Sequence, residues 1–274
     1  IKNSEKDSII NEYLKLTNQS LKGYKQFMAP NPITIDFNQL NIEYTGNIIQ
    51  NYLVTEKADG DRYLLFIFNK NGYLINSKWE VLNIGIEFDI DGSWLLDGEY
   101  ITKDKNQKTI NLFMIFDVYY ANNIPVHKYP YISKKQSREN EIESFKIKMK
   151  NMKYLEGLSI DKLLRINIKK YEKGSTKIEP VGSVNFTNNK KILEKSKRIL
   201  DRASGGGYEY KIDGLIYLPS NLPVKATYAW QPGSDAPEFI GGKWSLNYKW
   251  KPEEENTIDF QVKIKTENIK NNDR

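Results

Sequence analysis

Lys57 and Arg62 flank a tight polar stretch, Ala58-Asp59-Gly60-Asp61. Tyr52-Leu53-Val54 leads into it and Leu64-Leu65-Phe66-Ile67-Phe68 leads out. A primary amine and a guanidinium held close together beside a carboxylate can handle phosphate. The amine attacks or neutralises, and the guanidinium fork holds the far end of the ligand. The same stretch has a plainer account as a β-hairpin with Asp59-Gly60 at the turn, because glycine tolerates positive φ. Glu56 precedes the lysine, and further polar clusters sit where apolar runs end: Asp97/Glu99, Phe116/Asp117, Asp213 and Lys249/Lys251. Each again has a plain reading. Asp97-Gly98 and Asp213-Gly214 can be turns, Glu99 an exposed strand residue and Phe116 a core residue. Lys249 and Lys251 alternate with Trp250 and so share one strand face, as a solvated pair would.

The totals narrow the chemistry. With 274 residues the chain can form one large domain or two small ones around a substantial core. Cysteine is absent and His127 is the single histidine. Disulfides and thiolate metal sites are therefore excluded, and a zinc site or histidine-based triad is disfavoured. His127, between Pro125 and Pro130, reads as an ordinary loop residue. No apolar run reaches membrane-spanning length and no signal-peptide pattern is present. A net charge of +6 suits a polyanionic partner, nucleic acid or a nucleotide polyphosphate, and equally a lysine-rich solvated surface. The start at Ile1 rather than Met, and the polar run from Thr266 to Arg274, suggest a piece of a longer protein.

The elements that must position these residues are mostly strands. Ile9, Ile10, Tyr13 and Leu14 share a helical face in residues 1–28, with Pro30 and Pro32 ending that helix and opening an extended segment. Residues 52–120 read as strands, with Asn71-Gly72 and Asp91-Gly92 at turns and a buried strand from Asn111 to Tyr120. A helix after Ser133 carries Ile142, Phe145, Met149 and Met152 on one face and lysines on the other. That lysine face reads as solvated charge or as an RNA contact. Leu163 to Tyr171 returns to strand. A second helix places Ile192, Leu193, Ser196, Ile199, Leu200 and Ala203 together, and Gly205-Gly206-Gly207 stops it. Strands resume at Tyr208–Pro219, Trp244–Pro252 and Thr257–Val262. Strand runs interrupted by clustered helices indicate an α+β domain with antiparallel sheets, not a doubly wound one.

Taken in order, the polar clusters resemble the motifs of the covalent nucleotidyltransferases, the mRNA guanylyltransferases and the polynucleotide ligases. Lys57-Ala-Asp-Gly-Asp-Arg62 is similar to that superfamily's first motif and Leu96-Asp-Gly-Glu99 to its third. Met114-Ile-Phe-Asp-Val is similar to the strand whose aromatic stacks on the base. Lys211-Ile-Asp213-Gly-Leu-Ile is similar to the fourth motif and Lys249-Trp-Lys251-Pro to the fifth. Asp213 before Gly214, and the ending through Asn256-Thr-Ile-Asp259-Phe, resemble capping enzymes more than ligases, with a flavour similar to those of large DNA viruses. Asn76-Ser-Lys78-Trp stands where the family usually has an arginine, and the chain ends soon after the fifth motif. The resemblance implies an α+β nucleotidyltransferase domain over 1–265, two antiparallel β-sheets flanked by helices around a central cleft. Residues 266–274 would be a polar tail or linker toward an OB domain that this chain lacks.

The activity implied by the resemblance is attack by the Lys57 amine on the α-phosphate of GTP. The lysyl-GMP phosphoramidate then passes GMP to a 5′-diphosphate RNA end. Glu56, Asp59, Arg62, Lys78, Glu99, Phe116, Lys169, Asp213, Lys249 and Lys251 would contact GTP. Glu99 would serve the ribose hydroxyls, Phe116 the purine face, and Lys169 the guanine O6. Asp213, with Glu99, would hold Mg2+ or Mn2+. An amine in this role needs nearby positive charge to favour its neutral form, and Lys249, Lys251 and Arg62 are the expected sources. Alternatives are an ATP-dependent RNA or DNA ligase, or a basic module of the same fold that binds RNA without the chemistry. Fused or associated triphosphatase and methyltransferase domains are possible partners, no membrane association is expected, and a viral chain would work in the cytoplasm, virion or viral factory.

Overall fold

The computed structural model describes residues 3–156, 163–178 and 189–255. Helix α1 (Asn3–Leu16) precedes β1 (Pro30–Thr34), followed by β2 (Tyr52–Ala58), β3 (Asp61–Phe68), β4 (Asn71–Ile75), β5 (Val81–Glu87), β6 (Trp94–Lys103) and β7 (Thr109–Tyr120). After α2 (Arg138–Lys148) come the short strands β8 (Lys153–Tyr154), β9 (Arg165–Ile168) and β10 (Glu172–Lys173). Helix α3 (Lys191–Ser204), β11 (Ile212–Pro219) and β12 (Gly242–Trp250) complete the described chain.

The strands form two sheets, as the α+β reading expects. One runs β1-β12-β11-β2-β10 and the other β8-β5-β4-β3-β6-β7-β9. Pairing is antiparallel except at two edges, where β1 lies parallel to β12 and β7 parallel to β9. The expected purely antiparallel sheets are corrected to that extent. Strand β1 comes from near the start of the chain and pairs with a strand near its end, so no local signal announces it. Prolines at 30 and 32 are tolerated there because β1 is an edge strand.

The alternation of β2 divides its side chains between two environments. Tyr52 and Val54 pack with Ile192 and Ile199 of α3 and with Leu215, Tyr217 and Tyr248. Leu53 joins the larger core, where α1 delivers Ile9, Ile10, Tyr13 and Leu14 against the second sheet. Residues 53, 55 and 57 therefore face the space between the sheets, and residue 56 faces α3.

Several local expectations are corrected. Asp59-Gly60 is not a hairpin turn, because β2 and β3 belong to different sheets; the chain crosses from one sheet to the other there. Gly60 is required by space: a Cβ would lie 2.8 Å from the Tyr100 carbonyl oxygen and 2.9 Å from Glu99 Cγ. The β3–β4 hairpin turns at Asn69-Lys70, both at positive φ (47° and 65°), while Asn71-Gly72 already belongs to β4. A two-residue loop with left-handed backbone matches the strand twist, and asparagine accepts it. Asp97-Gly98 and Asp213-Gly214 lie inside β6 and β11 instead of at turns. Helix α1 ends at Leu16, far short of Pro30. Asn18 (φ 52°) closes it, with Gln19 N–H donating to the Leu14 carbonyl and Asn18 N–H to that of Lys15. Helix α2 begins at Arg138, where the Ser137 side chain caps Asn140 N–H. Leu193 stays 41% exposed, outside the buried face of α3. The strand expected at Thr257–Val262 and the polar tail at 266–274 lie outside the described residues.

His127 is a further correction. It is fully buried (0% exposed) beneath Tyr120, with Nδ1 3.3 Å from the Tyr119 carbonyl oxygen and Nε2 without a partner among the described residues. Burial pushes its imidazole down to about 4; the Tyr119 carbonyl opposes this, and Lys128 and Arg138 add to it. Unfolded, the group titrates near 6.5. Its contribution to stability is therefore complete above about pH 6.5 and is lost as the pH falls toward 4, because the unfolded chain takes up the proton first. We predict that His127→Gln removes about 3 kcal/mol of acid-dependent destabilisation between those limits. Urea denaturation of both proteins at stepped pH measures it, and parallel pH profiles would contradict the assignment.

Candidate active site

A cavity of about 300 Å³ opens between the sheets. Its floor is the β1-β12-β11-β2 face, presenting Pro30, Pro32, Asn247, Lys249, Ile216, Leu218, Thr55 and Lys57. The opposite wall comes from β3, β6, β7 and the chain after β9, presenting Arg62, Glu99, Phe116, Tyr119 and Lys169.

At one end of the floor, Lys57 Nζ lies 2.8 and 3.0 Å from the two Asp213 oxygens, and Lys251 Nζ lies 2.8 Å from Asp213 Oδ2. The backbone explains how three residues so far apart in sequence meet. Strand β11 runs antiparallel to β2 with Gly214 opposite Lys57, and its register shifts between Ile212 and Gly214. Gly214 sits at φ 154°, and a Cβ there would fall 2.0 Å from the Trp250 carbonyl oxygen. That bulge presses β12 against β11 and brings Lys251 onto Asp213. Burial opposes the Asp213 charge, but hydrogen bonds from Lys251 and Lys57, with their positive charge, hold its carboxyl below the usual carboxylate range. The Lys57 side chain keeps 24% of its surface open to the cleft.

Arg62 bridges the two sheets at the rim. Its Nε donates to Asp97 Oδ1 at 2.9 Å, a second guanidinium nitrogen donates to Asp97 Oδ2, and Nη1 donates to the Pro30 carbonyl at 2.7 Å. Tyr119 also donates its hydroxyl to Asp97, which is fully buried (0% exposed). The expectation that Arg62 crowds Lys57 with free positive charge is thus corrected, because Asp97 meets that charge directly.

Phe116 is the half-buried member of an otherwise buried run in β7, and its ring faces the cleft. The Arg62 guanidinium and the Lys169 amine lie 5.6 and 5.5 Å from the ring centre. Lys169 is buried and donates to the Glu56 carbonyl at 3.2 Å. Glu99, opposite Arg62 in the sheet register, is desolvated. Burial pushes its carboxyl up against the pull of Lys169, Lys57 and Arg62.

Five expected ligand contacts do not line the cavity: Asp213 and Lys251, which pair with each other beside Lys57, and Glu56, Asp59 and Lys78. The Glu56 carboxylate lies on the other face of β2, where Tyr210 donates to it at 2.9 Å. Asp59 is exposed and borders a separate surface hollow with Asp61, Lys103, Asp104 and Lys211. Lys78 is exposed on the turn between β4 and β5. Conversely, sequence reasoning missed the cleft roles of Thr55, Pro30, Tyr119 and Asn247, and of Arg138, which holds buried Asp117 at 2.8 Å. Strand alternation was signal enough to turn Glu56 away from Lys57 and to put Asn247 on the Lys249 face.

Among the described residues no group of three or more acidic or histidine side chains is placed to hold a metal ion. Asp213 is paired with two lysines and Glu99 lines the cavity wall, and two carboxylates are too few for an all-protein cage.

The family model for the mRNA capping enzyme, catalytic domain, matches residues 2–191. A probable mRNA-capping enzyme of Acanthamoeba polyphaga mimivirus is 29% identical over 308 aligned residues, which cover 97% of this chain and 23% of the relative. An mRNA-capping enzyme of Danio rerio is 23% identical over 248 residues, covering 87% of this chain and 34% of its own. The chain thus spans about a quarter to a third of the length of these curated relatives. Among solved structures, Pmar-Lig_Pre aligns with 90% of this chain and 51% of its own at a TM-score of 0.49 and 16% identity.

Asp97→Asn tests the bridge at the rim. Neutralising one partner of a desolvated ion pair leaves Arg62 uncompensated, and stability is expected to fall by up to about 3 kcal/mol in urea denaturation. Asn31→Ala, which removes only a 3.2 Å contact to Arg62 at the surface, is expected to change it little. Equal effects of the two would refute the central place of Asp97.

Proposed function

This chain belongs to the mRNA capping enzyme catalytic-domain family, and on that premise we propose that it is the guanylyltransferase domain of such an enzyme. The observation that carries the reading is the Lys57–Asp213–Lys251 cluster, whose Lys57 lines the cavity of about 300 Å³ between the sheets. In the proposed reaction the neutral Lys57 amine attacks the GTP α-phosphorus. The nitrogen–phosphorus bond forms, the bond to the bridging oxygen breaks, pyrophosphate leaves, and a proton passes from the nitrogen to solvent. A terminal phosphate oxygen of a 5′-diphosphate RNA then attacks the lysyl-GMP, and the nitrogen–phosphorus bond breaks as the nitrogen takes a proton from solvent and returns to the amine.

The side chains supply positioning and charge, which dominate phosphoryl transfer. Phe116 covers the purine from the wall, and Ile216 and Leu218 support it from the floor. Lys169 lies beside the Phe116 ring in reach of a base edge, and Glu99 faces the ribose side. Lys249 and Lys251 share a strand face at the Lys57 end, where charge builds on the α-phosphate oxygens. Asp213 orients the Lys57 amine before reaction, and its carboxyl, held low, stays anionic throughout the neutral range. Asp213 and Glu99 would hold Mg2+ or Mn2+, which would neutralise charge on the bound phosphates.

Fused or associated OB, triphosphatase and methyltransferase domains belong to the same proposal, and the curated relatives are longer than this chain. The mimiviral relative supports a viral source, and a viral chain would work in the cytoplasm, virion or viral factory. No helix among the described residues is long and apolar enough to cross a membrane.

Incubation with GTP and a divalent cation is expected to leave a GMP adduct visible by intact mass. Lys57→Ala abolishes it. Lys70→Ala, at the β3–β4 turn and paired with Asp89 on the surface, retains it. An adduct from ATP alone would make the chain a ligase instead. No adduct from either, with salt-sensitive RNA binding untouched by Lys57→Ala, would make it a binding module.

A further inference from the structure

We propose that Asn247 reads the 2-amino group of guanine and so determines the preference for guanosine over inosine nucleotides in this cleft. The inference rests on the reading of the cleft as a GTP site.

Asn247 precedes Lys249 by two positions on β12 and faces the cavity with it. The residue is only 7% exposed, and its Oδ1 is buried without a hydrogen-bond partner among the described residues. A buried acceptor left unmade is costly, and an amide kept for structure is normally bonded. On this proposal the missing partner is an N–H donor brought by the occupant of the cavity, toward which the amide turns, since the oxygen itself has almost no open surface.

The strand order says which donor. Strand β12 lies two strands from β2, with β11 between them carrying the apolar floor residues Ile216 and Leu218. Two strand spacings place the β12 and β2 sides about 10 Å apart across the sheet, and Asn247 lies three residues along β12 from Trp250, the residue level with Leu215 and Glu56. Lys169 is anchored on the β2 side through the Glu56 carbonyl, and its amine lies 5.5 Å from the Phe116 ring centre. A base under Phe116 thus has a cationic donor at one flank and an orphan acceptor at the other. Guanine presents an acceptor, O6, and a donor, the exocyclic amine, at opposite ends of one edge. With O6 toward Lys169, the amine points toward Asn247. Adenine offers a donor to Lys169 and only a C–H to Asn247, so it is mismatched at both flanks.

ITP keeps O6 and N1–H but lacks the exocyclic amine, so it isolates the Asn247 contact. The test measures adduct formation against GTP and ITP concentration for the wild-type chain, Asn247→Leu and Asn247→Asp. The wild-type chain is expected to favour GTP about tenfold in kcat/KM, mostly through KM, the effect of one neutral hydrogen bond. Asn247→Leu, similar in shape without polar atoms, is expected to use the two nucleotides about equally, with a melting temperature equal to or above that of the wild-type chain. Asn247→Asp restores an acceptor and the GTP preference. A wild-type chain indifferent to the two nucleotides overturns the assignment. So does a folded Asn247→Leu that still favours GTP, or an Asn247→Asp that loses the preference while it labels. A wild-type chain that labels with neither nucleotide sinks the guanylyltransferase reading itself, a result distinct from all of these.

Discussion

Asp213 sits between two ammonium groups, and the architecture around it exists to hold that arrangement half out of water. Its two partners come from strands at either side of β11, so one carboxylate ties β2, β11 and the end of β12 together. In a partly buried cleft such a cluster is weak as a source of stability, because desolvation offsets much of the Coulomb gain. Its value is geometric. The net positive charge that remains lies at the side where Lys57 opens onto the cavity. Gly214 makes this possible, since any side chain at that position would drive β12 away and take Lys251 with it.

The second sheet is joined to this one by a different device. Arg62 leaves β3, takes both oxygens of Asp97 on β6 and reaches the Pro30 carbonyl on β1. The cleft walls are therefore spaced by a planar guanidinium whose donors are fixed in direction. Behind Phe116, buried Asp117 is held by buried Arg138, which also donates to the carbonyls of Tyr129 and Leu222. The aromatic ring over the cavity thus stands on a strand pinned from behind. Floor and wall are spaced by these two ion pairs, Arg62–Asp97 and Arg138–Asp117.

What the sequence made legible divides along the same line. Lys57, Glu99, Phe116, Asp213, Lys249 and Lys251 form ordered motifs, and the fold brings them to the cleft or onto Asp213. The α+β class followed from strand runs interrupted by clustered helices, and the two sheets from the family resemblance. Asp97 was visible as a residue but not as a clamp, because its partners Arg62 and Tyr119 lie on other strands and register is a tertiary property. Strand β1 was hidden for a similar reason: its parallel partner comes from the far end of the chain. Glu56 was misassigned although the period of two already turned it toward α3. His127 was misread because flanking prolines signal a loop but say nothing of what covers it.

The outer margins of the two sheets carry a consequence of their own. Among the described residues, the first sheet ends at β1, which begins Pro-Asn-Pro, and at the two-residue β10; the second ends at the two-residue β8 and the four-residue β9. Proline offers no amide hydrogen, and a strand of two residues offers little template. Margins of this kind deny neighbouring copies a place to stack into fibrils.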